Sequence, residues 1–221
     1  LLAAAYQGQV VINPSIGVTG TQTPVGTFFK PSNNMIDTLS IAVENGITNI
    51  ILAGSLVINE DLSGGYNLIG TSPYNVLTAN PGADLTGVAL HLLSIQGELD
   101  GLNTIRDCSI LTITKVSGFV EKCAFLASIS INADIFIAEC YSNIAGASYP
   151  SIYGFPGAKI SLRDYHGSIG VFDITDTEHS LEGYGGKIFI DSTCTGGIIH
   201  IRGEWFEIID NSGVGCTVLD E

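Results

Sequence analysis

The chain has 221 residues, of which 45% are hydrophobic and only 14% charged, and 8 Lys and Arg against 22 Asp and Glu give a formal net charge of −14. So few basic residues cannot form the stripe that neutralises a phosphate backbone, which argues against a nucleic-acid partner. No apolar run approaches the roughly 18–20 residues of a spanning helix, which argues against membrane insertion.

Residues 1–30 read as a lead-in or attachment segment, rich in Gly, Thr and Pro, with one apolar strand at VVIN (10–13). The chain starts at Leu1 without a positively charged leading region, so it reads as a processed product or a piece of a longer one. Residues 31–46 predict an amphipathic helix: Met35, Ile36, Leu39, Ala42 and Val43 follow helical spacing, Ser32, Asn33 or Asn34 serves as N-cap, and Gly46 ends it. Such a helix can cover the first layer of the remainder, residues 47–221.

That remainder is built of short β-type bursts such as SISINA (128–133), KIFIDS (187–192) and IIHIRG (198–203). One phrase returns: Ile105-x-x-Cys108, Val120-x-x-Cys123, Ile137-x-x-Cys140 and Leu162-x-x-Tyr165, with Leu181-x-x-Tyr184 as a weaker fifth copy. The markers are spaced 15, 17, 25 and 19 residues apart, a period near 20 that points to a solenoid. Helix-pair repeats need about 33 residues, and the leucine-rich frame is missing. The expected fold is all-β: a right-handed parallel β-helix of about nine coils with an N-terminal capping helix.

In such a coil, inward residues alternate along each strand, and a bend shifts the phase by one, giving inward spacings of two and three. Cys108, Cys123, Cys140 and Tyr165 would then form a structural ladder in the core. The polar residues between them give two outward columns: Arg106, Glu121, Ala138, Arg163, and Asp107, Lys122, Glu139, Asp164. Stacking predicts opposite-charge pairs 106–121, 107–122 and 122–139. The five cysteines have no C-x-x-C spacing and read as buried free thiols.

A strand (VVIN), a Gly and Thr rich loop ending in PVGT, a Pro and Asn start, a helix with an NG stop and then a β-solenoid: this layout resembles the β-helical structural proteins of tailed bacteriophages, notably tail fibres and tailspikes. The resemblance covers most of the chain and implies a virion component displayed outside the cell, often a homotrimer, in contact with other virion proteins.

β-Helices also carry polysaccharide lyases and glycosidases, whose chemistry needs paired carboxylates on an exposed groove. The candidate acids are Asp107, Glu121, Glu139, Asp164, Asp173 and Asp176, with Glu139, Asp164, Asp173 and Asp176 as the catalytic candidates. No acid cluster beside an arginine stands out, so no catalytic residue is assigned. His91, His166, His179 and His200 are scattered, read as surface or groove polar groups, and suggest no metal site. No cofactor motif is present. The stretch NIAGASYPSIYGFPGA (143–158) reads as a long loop whose Tyr149, Tyr153 and Phe155 offer flat faces to a host surface glycan or a partner protein. A second excursion covers 71–84. The expected role is a non-enzymatic tail fibre or spike module for attachment or assembly; the alternatives are a glycan-degrading tailspike enzyme and a capsid decoration or head fibre protein.

Overall fold

The computed structural model describes residues 5–142 and 149–221. It is a parallel β-solenoid of about nine coils, with one short helix of about three turns among the described residues, Met35–Asn45. Every named strand pairs in parallel with the strand one coil away. No helix among the described residues is long and apolar enough to cross a membrane.

The core is a set of vertical files. Ile50, Leu68, Leu90, Ile105, Val120, Ile137, Leu162, Leu181 and Ile201 are register partners from coil to coil, and none is more than 2% exposed. Ile113, Ile129, Ile152, Val171 and Ile190 form a second file. β-Branched side chains suit this half-buried pleated surface, and each fully buried aliphatic contributes about 1.5–3 kcal/mol. Strand spacing of ~4.8 Å makes about nine coils a rod of roughly 43 Å.

The helix α1 (Met35–Asn45) lies between the strands Gln9–Ile12 and Asn49–Leu52, which pair with each other and start the stack. Asn34 is its N-cap: the side-chain Oδ1 accepts the Asp37 N–H at 2.8 Å, and Gly46 closes the other end at φ 63°. The face turned inward differs from the one the apolar spacing predicted. Met35, Thr38, Ile41 and Ala42 are buried, whereas Ile36 and Val43 are 64% and 71% exposed. Ile41 and Ala42 pack with Tyr6, Val10, Val25 and Ile47, so the lead-in wraps the helix and draws that face in.

The stretch 143–158 is not one loop. Ser151–Tyr153 is a strand of the stack, with Ile152 between Ile129 and Val171 in the core. Residues 143–148 lie outside the described residues.

Candidate functional site

The repeated phrase marks one corner of the coil. Leu92, Asp107, Lys122, Glu139 and Asp164, each directly before a marker position, all have φ between 50° and 55°. A single left-handed residue turns the strand and causes the one-residue phase shift, so that inward positions fall three apart. Lys115, Asp173 and Asp176 do the same at other bends. Such a conformation costs roughly 1–2 kcal/mol for most residues and is least unfavourable for Asp and Asn. Of the six acids considered for catalysis, five therefore sit where the backbone bends, and the sixth, Glu121, binds Arg106.

Behind this corner the sulfurs stack. The Cys108 N–H donates to Cys123 Sγ at 3.4 Å, and the Cys123 N–H to Cys140 Sγ at 3.3 Å. Each thiol in turn donates to the carbonyl two residues before it: Arg106 at 3.0 Å, Glu121 at 3.2 Å and Ala138 at 3.1 Å. The three carbonyls also accept a backbone N–H from the preceding coil, those of Leu92, Asp107 and Lys122, so it is the Cys108 and Cys123 N–H groups that depend on sulfur, and a buried donor without a partner costs about 1–3 kcal/mol. Cysteine is small, apolar enough for the core, and able to accept that N–H while its own S–H adds a second donor to the carbonyl. The hydrogen bond with Cys123, with burial second, pushes the Cys108 thiol well above its ordinary range. For Cys123, the contact with Cys108 pulls the ionisation down, but Cys140 and burial outweigh it, and the net displacement is upward. These thiols are poor nucleophiles.

Leu93 precedes the cysteines in the same file, and Tyr165 follows them, fully buried and edge-on to Phe125 at 5.9 Å. Tyr184 does not belong to it. Tyr165 pairs with Gly183, and Tyr184 points outward, stacked on His166 at 5.6 Å. The strand Glu178–Tyr184 alternates strictly without a bend, so its inward residues, Leu181 and Gly183, are two apart instead of three.

On the outside, Arg106 meets Glu121 at 2.7 Å and Lys122 meets Glu139 at 3.8 Å, but no ion pair joins Asp107 to Lys122. Surface pairs of this kind contribute ~0.2–1 kcal/mol each. Arg106 also lies 5.8 Å over the Phe119 ring, and Phe119 stacks flat on Phe136 at 5.2 Å.

The aromatic candidates divide between two features. Tyr153 stacks on Phe172 at 5.1 Å, and Phe172 lies 5.8 Å from Phe189, forming a file of rings along the solenoid axis. Phe172 fills the space over Gly170, where a Cβ would come within 2.7 Å of its ring. Phe155 instead lines an open groove of about 520 Å³ with Ser117, Asn132, Asp134, Pro156 and Ala158. Asn132 donates to Asp100 at 3.2 Å, while its Oδ1 is buried without a partner. Tyr149 is half-buried at the described edge of the segment. Comparison of the chain with protein-family models, curated proteins and solved structures finds no match. Phe172 and Phe189 were not singled out from the sequence, though GVF and KIF each place an aromatic at an outward position of a strand.

Among the described residues no group of three or more His, Cys, Asp or Glu is placed to hold a metal ion. His166 meets Asp164 at 3.1 Å. His200 lies between Glu178 at 3.1 Å and Glu221 at 2.8 Å, and Arg202 also binds Glu221. His200 and Arg202 hold the Glu221 carboxyl below its ordinary range. His179 departs from the surface or groove reading: it is 1% exposed, in the inward position otherwise held by Ile160 and Ile199.

Proposed function

We propose that the chain is a β-helical structural module of a virion, of the tail fibre or tailspike kind, which attaches through its outer face and cuts nothing. The observation that carries the non-enzymatic part is the use of the acids. Asp107, Glu139, Asp164, Asp173 and Asp176 occupy left-handed corners, a structural demand that explains their presence without a reaction. The Tyr153, Phe172 and Phe189 rings and the Phe155 groove supply flat apolar surface beside amide and carboxylate groups, a chemistry suited to a host surface glycan or a partner virion protein. A homotrimer is part of this reading, because high apolar content and low charge suit a subunit interface.

Labelling of phage particles with antibody against this chain, viewed by electron microscopy, tests the placement. Tail labelling is the expected result, head labelling would move the chain to the decoration proteins, and no labelling would remove the virion reading. Sedimentation equilibrium tests the trimer. Incubation with host polysaccharide followed by a reducing-end and unsaturated-uronate assay is expected to give no product, and sustained release would favour the glycan-degrading alternative.

A further inference from the structure

We propose that His179 is an acid-sensitive latch that holds the groove wall formed by Phe155–Ala158 in place while its ring is neutral and releases it on protonation.

The hydrogen bonds fix the ring's state. Nδ1 lies 3.2 Å from the Ile160 nitrogen, and a backbone N–H can only donate, so Nδ1 carries no proton. Nε2 lies 2.7 Å from Thr177 Oγ1. That hydroxyl also lies 3.1 Å from the Thr175 carbonyl and 3.3 Å from the Ala158 carbonyl. With Nε2–H donating to Thr177 and Thr177 donating onward to a carbonyl, every polar atom of the neutral ring is satisfied.

From Ala158 the chain of contacts reaches the groove directly. The Ala158 N–H donates to the Phe155 carbonyl at 2.9 Å, and both residues line the groove. A proton on Nδ1 would set two N–H groups against each other at Ile160 and put a charge into a file of isoleucines. The fold can relieve this by releasing Ile160 and the turn before it.

The surroundings favour the neutral ring. Burial is the main cause, and Lys159 on the preceding rung adds to it, lowering the ring's ionisation to about 4 from an ordinary value of 6.5, against a smaller opposing pull from Asp134. Glu178, His200 and Arg202, on its own strand and the next, are engaged in outward ion pairs, as Glu221 is with the last two. Asp176 turns its carboxylate toward Gly196, and Arg163, Asp164, Glu182 and Glu204 are outward neighbours on the three strands. Because the folded value is depressed, the latch is at full strength above pH 6.5 and weakens as pH falls from 6.5 toward 4. The inference is independent of what the groove binds.

Hydrogen exchange on the full chain between pH 7 and 4.5, corrected for intrinsic rates, tests it. Amides of 155–160 are expected to lose protection on the order of tenfold or more, with the Cys-marked coils unchanged. His179→Ile, which matches its file neighbours, is expected to abolish that loss. An equal loss in the variant, or a loss spread evenly over the solenoid, would overturn the latch. If the variant does not fold, NMR titration of the wild-type ring decides: titration near 6.5 with no change at the Ile160 amide refutes the proposal, and a depressed value moving together with Ile160 supports it.

Discussion

One file of the solenoid is built in two ways. Through Cys108, Cys123 and Cys140 each coil bends at a left-handed residue, and the Cys108 and Cys123 N–H groups donate to the sulfur of the next coil. Two coils further, the same file reaches Gly183, in a strand that runs without that bend, and then its register partner Gly203. There the Trp205 indole fills the room: a Cβ on Gly183 would stand 2.4 Å from its ring and 2.8 Å from the Tyr165 carbonyl. A corner can thus be closed by a small polarisable side chain from within or by a large ring laid over glycine. Tyr165 joins the two regimes, and the register shift falls between Leu162 and Tyr165.

The glycine regime is the less tolerant, because its neighbours include backbone that cannot move aside. Gly183→Val is expected to destabilise by ~3 kcal/mol or more in urea unfolding. A cost under ~1 kcal/mol would mean that the indole is not seated there. In the sulfur regime, Cys123→Val keeps an apolar side chain but leaves the Cys108 N–H without its acceptor, while the Glu121 carbonyl retains the Asp107 N–H; the expected loss is about 1–3 kcal/mol. Cys123→Ser should recover part of it, since a hydroxyl can also accept and donate. Equal stability of Val and Ser variants would show that the sulfur acts by volume alone.

At the junction the sign reverses. The buried Tyr165 hydroxyl has no hydrogen-bond partner, so Tyr165→Phe should be neutral or stabilising by up to ~1 kcal/mol, read from the same unfolding curves. Smaller still, Lys122→Asn places a residue that accepts the left-handed region at a corner now held by lysine. A gain of roughly 0.5 kcal/mol in urea unfolding is expected, partly offset by loss of the pair with Glu139. Finally, a thiol reagent added to the native protein should modify Cys216, which is only partly buried, well before Cys108, Cys123, Cys140 and Cys194, all of them in the core.

Much of the fold was legible because a solenoid repeats its packing problem, so each coil restates the same spacing. Cysteine over cysteine, and Arg106 over Glu121, followed from aligning the phrase with itself. Leu90-x-x-Leu93 is an earlier copy of the pattern, hidden because its marker is leucine. Tyr184 looked like a later copy because the spacing survives in the sequence, although the bend itself is lost. The outward face was harder to read. Nothing local tells that Tyr153 belongs to a strand, that Phe172 of the next coil is its register partner, or that Phe172 leans over Gly170 to meet Phe189.

The sequence by itself determined the period, the inward files, the helix with its Gly46 stop and the stacked thiols, since these depend on residues a fixed number of places apart. Only the tertiary structure decided which face of α1 is buried, that the acids are corner residues, and that His179 sits in the core, joined through Thr177 to Ala158 of the groove wall. Those outcomes depend on register between coils about 20 residues apart, and on which neighbour fills each gap. No single coil contains that information.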